Sequence, residues 1–145
     1  MCIIHTCKKL LITSLKEPDL KSKDECNMEQ IAKAIYDWCI ENEMWLYVII
    51  YFDGKAWSSY KRWGGEEGRR IGDRLFEYED KNPLDYFEYA HPDTLSMSFE
   101  GELYDMLNYG WFAEKLESFS KLINGFGYYY ELGNAWNLSL YKIFD

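Results

Sequence analysis

A chain of 145 residues, 48% of them apolar and 19% aromatic, is long enough for one domain that buries about two thirds of its unfolded surface, so folding requires neither a disulfide nor a metal. Its four cysteines, Cys2, Cys7, Cys26 and Cys39, are irregularly spaced and form no disulfide framework, which points to a reducing, cytoplasmic setting; no stretch reaches the roughly 18 consecutive apolar residues of a membrane-spanning helix. Twenty-five acids against sixteen bases give a net charge of −9, a field that disfavours direct nucleic-acid binding and favours a basic protein partner.

The charge is unevenly distributed. Five lysines and four acids fall in residues 1–27, which leaves 11 bases against 21 acids in residues 28–145. Residues 1–27 lack aromatics, hold three of the four cysteines and include the polar run Lys16 to Glu25 with Pro18. They are expected to form a loosely ordered leader, or to follow from a misassigned start with Met28 as the initiator. Asn27 with Gln30 three residues later has the form of a capping box, which argues for keeping Asn27. Cys2, His5, Cys7 and Cys26 do not match the usual spacing of paired zinc ligands, so no metal site is expected.

Residues 28–43 place Ile31, Ile35, Trp38 and Cys39 on one helical stripe, opposite Glu29, Lys33, Asp37 and Glu41. WLYVIIYF, residues 45–52, has the continuous apolar run of a central strand; Asp53-Gly54 predicts a tight turn into KAWSSYKRW, residues 55–63. RLFEYED (74–80) and TLSMSFE (94–100) alternate as half-buried strands do. Leu103, Met106 and Leu107 predict a short helix ending near Gly110. Phe112, Leu116, Phe119 and Ile123 predict the buried stripe of another, closed by Gly125. YYYEL and AWNLSLYKIF flank Gly133-Asn134, which is expected to be the turn of a terminal hairpin. The order implies a single α+β domain over residues 28–145, with an antiparallel sheet of about five to six strands and two to three helices mainly on one face.

Four stretches are candidates for function. WGGEEGRR, residues 63–70, resembles the GG(D/E)EF signature of diguanylate cyclases at Gly64, Gly65, Glu66 and Glu67, but Gly68 replaces the phenylalanine. No lysine or hydroxyl follows as a phosphate loop requires, so a solvated turn-rich loop is the simpler reading. Around it lies a secondary basic loop, Lys61, Arg62, Arg69, Arg70 and Arg74, interleaved with Trp57, Tyr60 and Trp63; bases beside exposed rings suit single-stranded nucleic acid, but Glu66, Glu67 and Asp73 lie among them and the net charge opposes it, so pairing with the acidic segment that follows is the favoured reading. Next comes LFEYEDKNPLDYFEYAHPD, residues 75–93, whose carboxylates alternate with aromatics. Glu77, Glu79, Asp80, Asp85, Glu88 and Asp93, with Tyr86 and Tyr89, form the candidate partner-binding surface, a spaced row of charges able to imitate a nucleic-acid backbone. The simpler alternative is an edge strand with one wet face. Glu100, Glu102 and Asp105 at a helix start suit the helix dipole as well as they suit acid–base work. His5 and His91 are the only histidines, and nothing sets either beside a nucleophile, so neither an enzyme nor a cofactor is expected.

The segments YFDGKAWSS (51–59), NPLDYFEYAHPDTLSMSFEG (82–101) and YYYELGNAWNLS (128–139) resemble uncharacterised small acidic proteins of phages and conjugative elements of Gram-positive bacteria. The resemblance implies a mobile-element context and, with it, an inhibitor of host defence enzymes of the anti-CRISPR or anti-restriction kind; it transfers no functional residue. The expectation is therefore a non-enzymatic acidic protein-binding module with residues 77–93 as its contact. Its alternatives are an accessory or immunity protein that docks through an aromatic surface, and a metal-dependent nucleotide enzyme using the WGGEEGRR loop.

Overall fold

The computed structural model describes residues 27–63 and 74–144. The expected leader, apart from Asn27, and residues 64–73 lie outside them. Helix α1, Met28–Glu41, begins on the expected capping box: the Gln30 N–H donates to Asn27 Oδ1 (2.8 Å) and the Asn27 N–H to Gln30 Oε1 (3.0 Å). Its buried stripe contains Ile31, Ile35, Trp38 and Cys39, and Lys33 pairs with Asp37 at 2.8 Å on the outer face.

Strand β1, Val48–Phe52, starts three residues later than the apolar run suggests, because Tyr47 adopts a left-handed conformation (φ 69°) that no strand can include. Asp53 and Gly54, at φ 51° and 77°, make the expected turn into β2, Lys55–Ser58. Strand β3, Phe76–Glu79, pairs with β2; β4 is Leu95–Phe99. Helices α2, Gly101–Tyr109, and α3, Ala113–Gly125, lead to β5, Tyr128–Asn134, and β6, Asn137–Lys142. The described residues form one six-stranded sheet of order β3-β2-β1-β4-β6-β5, antiparallel throughout, with three helices. This is the α+β architecture expected from the sequence.

Strand alternation sorts the sheet into two faces. Val48, Ile50 and Phe52, Trp57, Leu95, Met97 and Phe99, and Leu138 and Leu140 join the buried stripes of all three helices in one core. Trp38 lies 5.0 Å from Phe119, and its indole N–H donates to Ser118 Oγ at 3.0 Å, fastening α1 to α3. The opposite face presents Tyr51, Ala56, Ser58, Ser96 and Ser139. Because β3 is an edge strand and β4 lies beyond both β2 and β1, residues 80–94 must cross the sheet to connect them. They cross on this second face, where Tyr51 and Ala56 form a separate small cluster with Phe87.

Two expectations need correction. The terminal hairpin does not turn at Gly133-Asn134. Strand β5 runs through both residues, and Ala135 and Trp136 make the turn, with a register shift between Leu132 and Asn134. Gly133 is there for close approach: a Cβ would lie 2.4 Å from Asn137 Oδ1 and 2.6 Å from the Tyr89 carbonyl oxygen. Phe112 does not belong to the buried stripe of its helix. It precedes α3 in a left-handed conformation (φ 58°) and is exposed, while Phe119 and Ile123 are buried.

Candidate functional site

The crossing segment is a built structure. The Lys81 N–H donates to the Gly54 carbonyl (2.9 Å), and the Lys81 ammonium lies 4.6 Å from the centre of the Trp63 ring. The Asn82 side chain accepts from the Leu84 N–H (2.9 Å), opening a single 3-10 turn, Pro83–Asp85, with Pro83 buried. Phe87 then drops onto the sheet between Tyr51 (5.5 Å) and Trp136 (5.6 Å). Further on, the His91 N–H donates to Ser139 Oγ (3.0 Å) and the Thr94 hydroxyl to the Leu140 carbonyl (2.7 Å). The small side chains of Ala56, Ser96 and Ser139 let the backbone come this close, and Ser96 and Ser139 hydroxyls sit 2.6 Å apart beneath it. His91 starts the expected turn, its carbonyl accepting from the Thr94 N–H.

All eight candidate partner-binding residues are exposed: Glu77, Glu79, Asp80, Asp85, Tyr86, Glu88, Tyr89 and Asp93. The structure does not unite them on one surface. Asp85, Tyr86, Glu88 and Tyr89 ride on the crossing. Glu77 and Glu79 belong to the edge strand and point toward the helix side, as their register opposite Trp57 and Lys55 requires. Glu77 is engaged there: it accepts from the Trp57 indole N–H (2.8 Å) and lies 3.9 Å from the Lys55 ammonium. The indole donor, then a hydrogen bond from Glu79 and the Lys55 charge, hold the Glu77 carboxyl below the usual glutamate range, while its hydrogen bond to Glu77 pushes Glu79 up. For these two residues the edge-strand reading of the alternation is the structural one: carboxylates on a short edge discourage further strand pairing.

The basic loop is only partly brought together. Lys61, Arg62 and Arg74 are exposed, whereas Arg69 and Arg70, with residues 64–70 of WGGEEGRR, lie outside the described residues. Two of the three rings interleaved with them are taken up by packing. Trp57 is buried, and Trp63 packs against Tyr51, Tyr78 and Tyr86. Arg74 lies over Phe76, with 5.3 Å from its guanidinium carbon to the ring centre. Cys2, His5, Cys7 and Cys26 are likewise outside the described residues. Among those described, no group of three or more His, Cys, Asp or Glu side chains is arranged to hold a metal ion. Cys39 is fully buried, and burial pushes its thiol far above the usual range, as expected of an inert core cysteine.

Two features were missed by the sequence reading. The first is an open cleft of about 280 Å³ on the second face, floored by Ile49 and Ser98 and walled by Tyr47, Tyr60 and Trp136, with Glu100 on its lining. Four separate segments supply these residues. Tyr47 and Tyr60 stand with ring centres 6.0 Å apart. Burial, then the charges of Glu100 and Tyr47, push the Tyr60 phenol up to about 12. Tyr51, also on this face, is pushed up to about 12 by burial, with a hydrogen bond from Ser98 opposing and Tyr86 adding to the shift. The second is an aromatic corner between α2 and α3. Tyr109, Trp111 and Phe112 are 62%, 56% and 41% exposed, and the αL geometry of Phe112 turns its ring out, with Lys115 5.6 Å from the ring centre. The run Tyr109-Gly110-Trp111-Phe112 could have signalled this corner, since Gly110 at φ 72° ends α2 and leaves two large rings without helical periodicity.

Compared with family models, curated proteins and solved structures, the chain matches none. No helix among the described residues is long and apolar enough to cross a membrane.

Proposed function

We propose that this protein is a non-enzymatic acidic protein-binding module whose crossing segment, residues 80–93, receives a basic surface of a nucleic-acid-binding enzyme and occludes it. One observation carries the reading: Asp80, Asp85, Glu88 and Asp93 are all exposed on a segment pinned by buried Pro83 and Phe87. A row of charges on a rigid base costs little ordering on binding, which favours fast, charge-steered association. The only base within the segment, Lys81, is spent on the Trp63 ring. An inhibitory role in a mobile-element setting is what the family resemblance adds to this, and a cytoplasmic site of action accords with it.

The test is capture from nuclease-treated lysate of the source cell, at low and high salt, by the native chain and by D80N/D85N/E88Q/D93N. Asparagine tolerates the left-handed backbone of Asp80 (φ 54°), so the variant is expected to keep its melting temperature. A basic nucleic-acid-binding protein should be captured by the native chain, released at high salt and lost with the variant. Capture unaffected by the four substitutions defeats the reading.

A second reading rests on the aromatic corner. Tyr109, Trp111 and Phe112 are the kind of rigid rings that anchor protein interfaces, as an accessory or immunity protein would require. That complex would survive high salt and be lost with Trp111→Ala instead.

A further inference from the structure

The cleft on the second face is distinct from the acidic crossing and has its own chemistry. Its walls are three aromatic rings, Tyr47, Tyr60 and Trp136, and among the described residues that line it only Glu100 is charged. The separation of 6.0 Å between the two tyrosine ring centres leaves no slot between them, so they act as one wall facing the open volume. Ring faces attract a cation through their quadrupole, and the attraction grows as water is excluded. The Glu100 charge bears on the same space: it helps to disfavour ionisation of the Tyr60 phenol, and a field that penalises an anion there rewards a cation. At about 280 Å³ the volume lies at the small end of ligand sites, enough for a side-chain head and little more.

The backbone is arranged to hold this wall. Tyr47 sits at φ 69°, a conformation costly for a residue with a large side chain. Beside it Gly101 sits at φ 70°, where a Cβ would come within 3.2 Å of Tyr47 Cδ2. The Glu100 N–H donates to the Tyr47 carbonyl (3.2 Å), and the Phe99 N–H to the Trp136 carbonyl (2.9 Å), so the acid and two of the rings are tied together through the end of β4. Glu100 precedes α2, yet its side chain makes no capping hydrogen bond; its carboxylate is not consumed by the helix.

We propose that this cleft is a receptor for the cationic head of a lysine or arginine side chain, presented by a partner protein. The source of the cation rests on the reading of a basic partner above; the receptor chemistry does not. The test is a titration of the full chain, followed by the indole N–H resonance of Trp136, with N-acetyl-arginine methylamide and N-acetyl-lysine methylamide, and with N-acetyl-citrulline methylamide as the neutral isostere. The resonance is assigned by its loss in Trp136→Phe. Saturable shifts with the two cations and none with citrulline are expected. Glu100→Gln, which removes the charge without disturbing a cap, is expected to weaken binding about three- to fivefold. Absence of saturation, an equal response to citrulline, or unchanged affinity in Glu100→Gln overturns the proposal. Because the probes are single amino acids, cation binding here with no effect of the four acidic substitutions on capture would sink the acidic-segment reading alone. Loss of capture with those substitutions but no cation binding would sink the cleft alone.

Discussion

The two faces of the sheet are made by alternate residues of the same strands, and they differ in almost every physical respect. Toward the helices stand Val48, Ile50, Leu95, Met97, Leu138 and Leu140, fully buried and without a polar atom in their side chains. One residue along, the other face carries Ser58, Ser96, Asn137 and Ser139, equally buried but polar. Three helices cover the first face; among the described residues, the crossing of residues 80–94 covers part of the second, with Trp63 packed beside it. An apolar face gains free energy from any well-packed cover and so is not selective about position. A hydroxyl-bearing face rewards a cover only where partners meet, as at His91 N–H with Ser139 and Thr94 with the Leu140 carbonyl. The contrast places most of the stability on one side and the orientation of the crossing segment on the other. Asn137 Nδ2 on that side is buried with no hydrogen-bond partner among the described residues.

Truncating one residue on each face tests that division. Met97 lies in the central strand β4 between β1 and β6 and is fully buried. Met97→Ala is expected to cost about 2–5 kcal/mol in chemical denaturation, because the surrounding core cannot collapse into the space. Phe87→Ala removes more atoms but lies under a thin cover that can relax or admit water. The cost should be near that of exposing one ring, about 1.5–3 kcal/mol. The sharper expectation concerns where the effect appears. Phe87→Ala should abolish hydrogen-exchange protection at the Tyr86 and Phe87 amides, which donate to the Pro83 carbonyl, while the amides of β1 and β4 follow global unfolding. Uniform loss of protection across both faces would show that the crossing is part of the main core.

The first face was far more legible in the sequence than the second. Ile31, Ile35, Trp38 and Cys39 at helical spacing, the run of residues 45–52, and Leu95, Met97 and Phe99 in alternation each report their burial directly, since an apolar face leaves a period. Asn27 with Gln30 and Asp53 with Gly54 were legible because capping and tight turns are local chemistry. The crossing was legible only as composition. Its carboxylates are exposed as their charge demands, but that Glu77 and Glu79 part from Asp85 and Glu88 depends on where β3 sits in the sheet, which is a long-range pairing. The cleft was illegible for the same reason, as Tyr47, Tyr60, Glu100 and Trp136 meet only through strand order. The errors at Phe112 and at Gly133 have a common source. A glycine was read as a turn where it answers a close approach, and an aromatic at the right spacing was read as core where the backbone had already left the helix.

The smallest effect expected lies where the two faces meet, at the β3 edge. Glu77 is held below the usual glutamate range first by the Trp57 indole N–H, and Glu79 above it by Glu77. A carboxyl with a depressed native pKa adds stability above its unfolded pKa and loses that contribution as pH falls through the native one; a carboxyl with a raised pKa contributes in the opposite direction. The two therefore oppose each other across the acid range, and both are exposed, so solvent screening keeps each contribution small. Trp57→Phe removes the donor and should move the Glu77 midpoint upward in a carbon-detected NMR titration. Glu79→Gln removes the opposing group, so the variant's acid-range stability profile should be steeper than the native chain's, approaching the Glu77 slope alone. If Trp57→Phe leaves the Glu77 midpoint in place, the hydrogen bond from Glu79 and the Lys55 ammonium at 3.9 Å, rather than the indole, set the charge of this edge. The two carboxylates would then depend on each other and on a flexible ion pair instead of on a side chain rooted in the core.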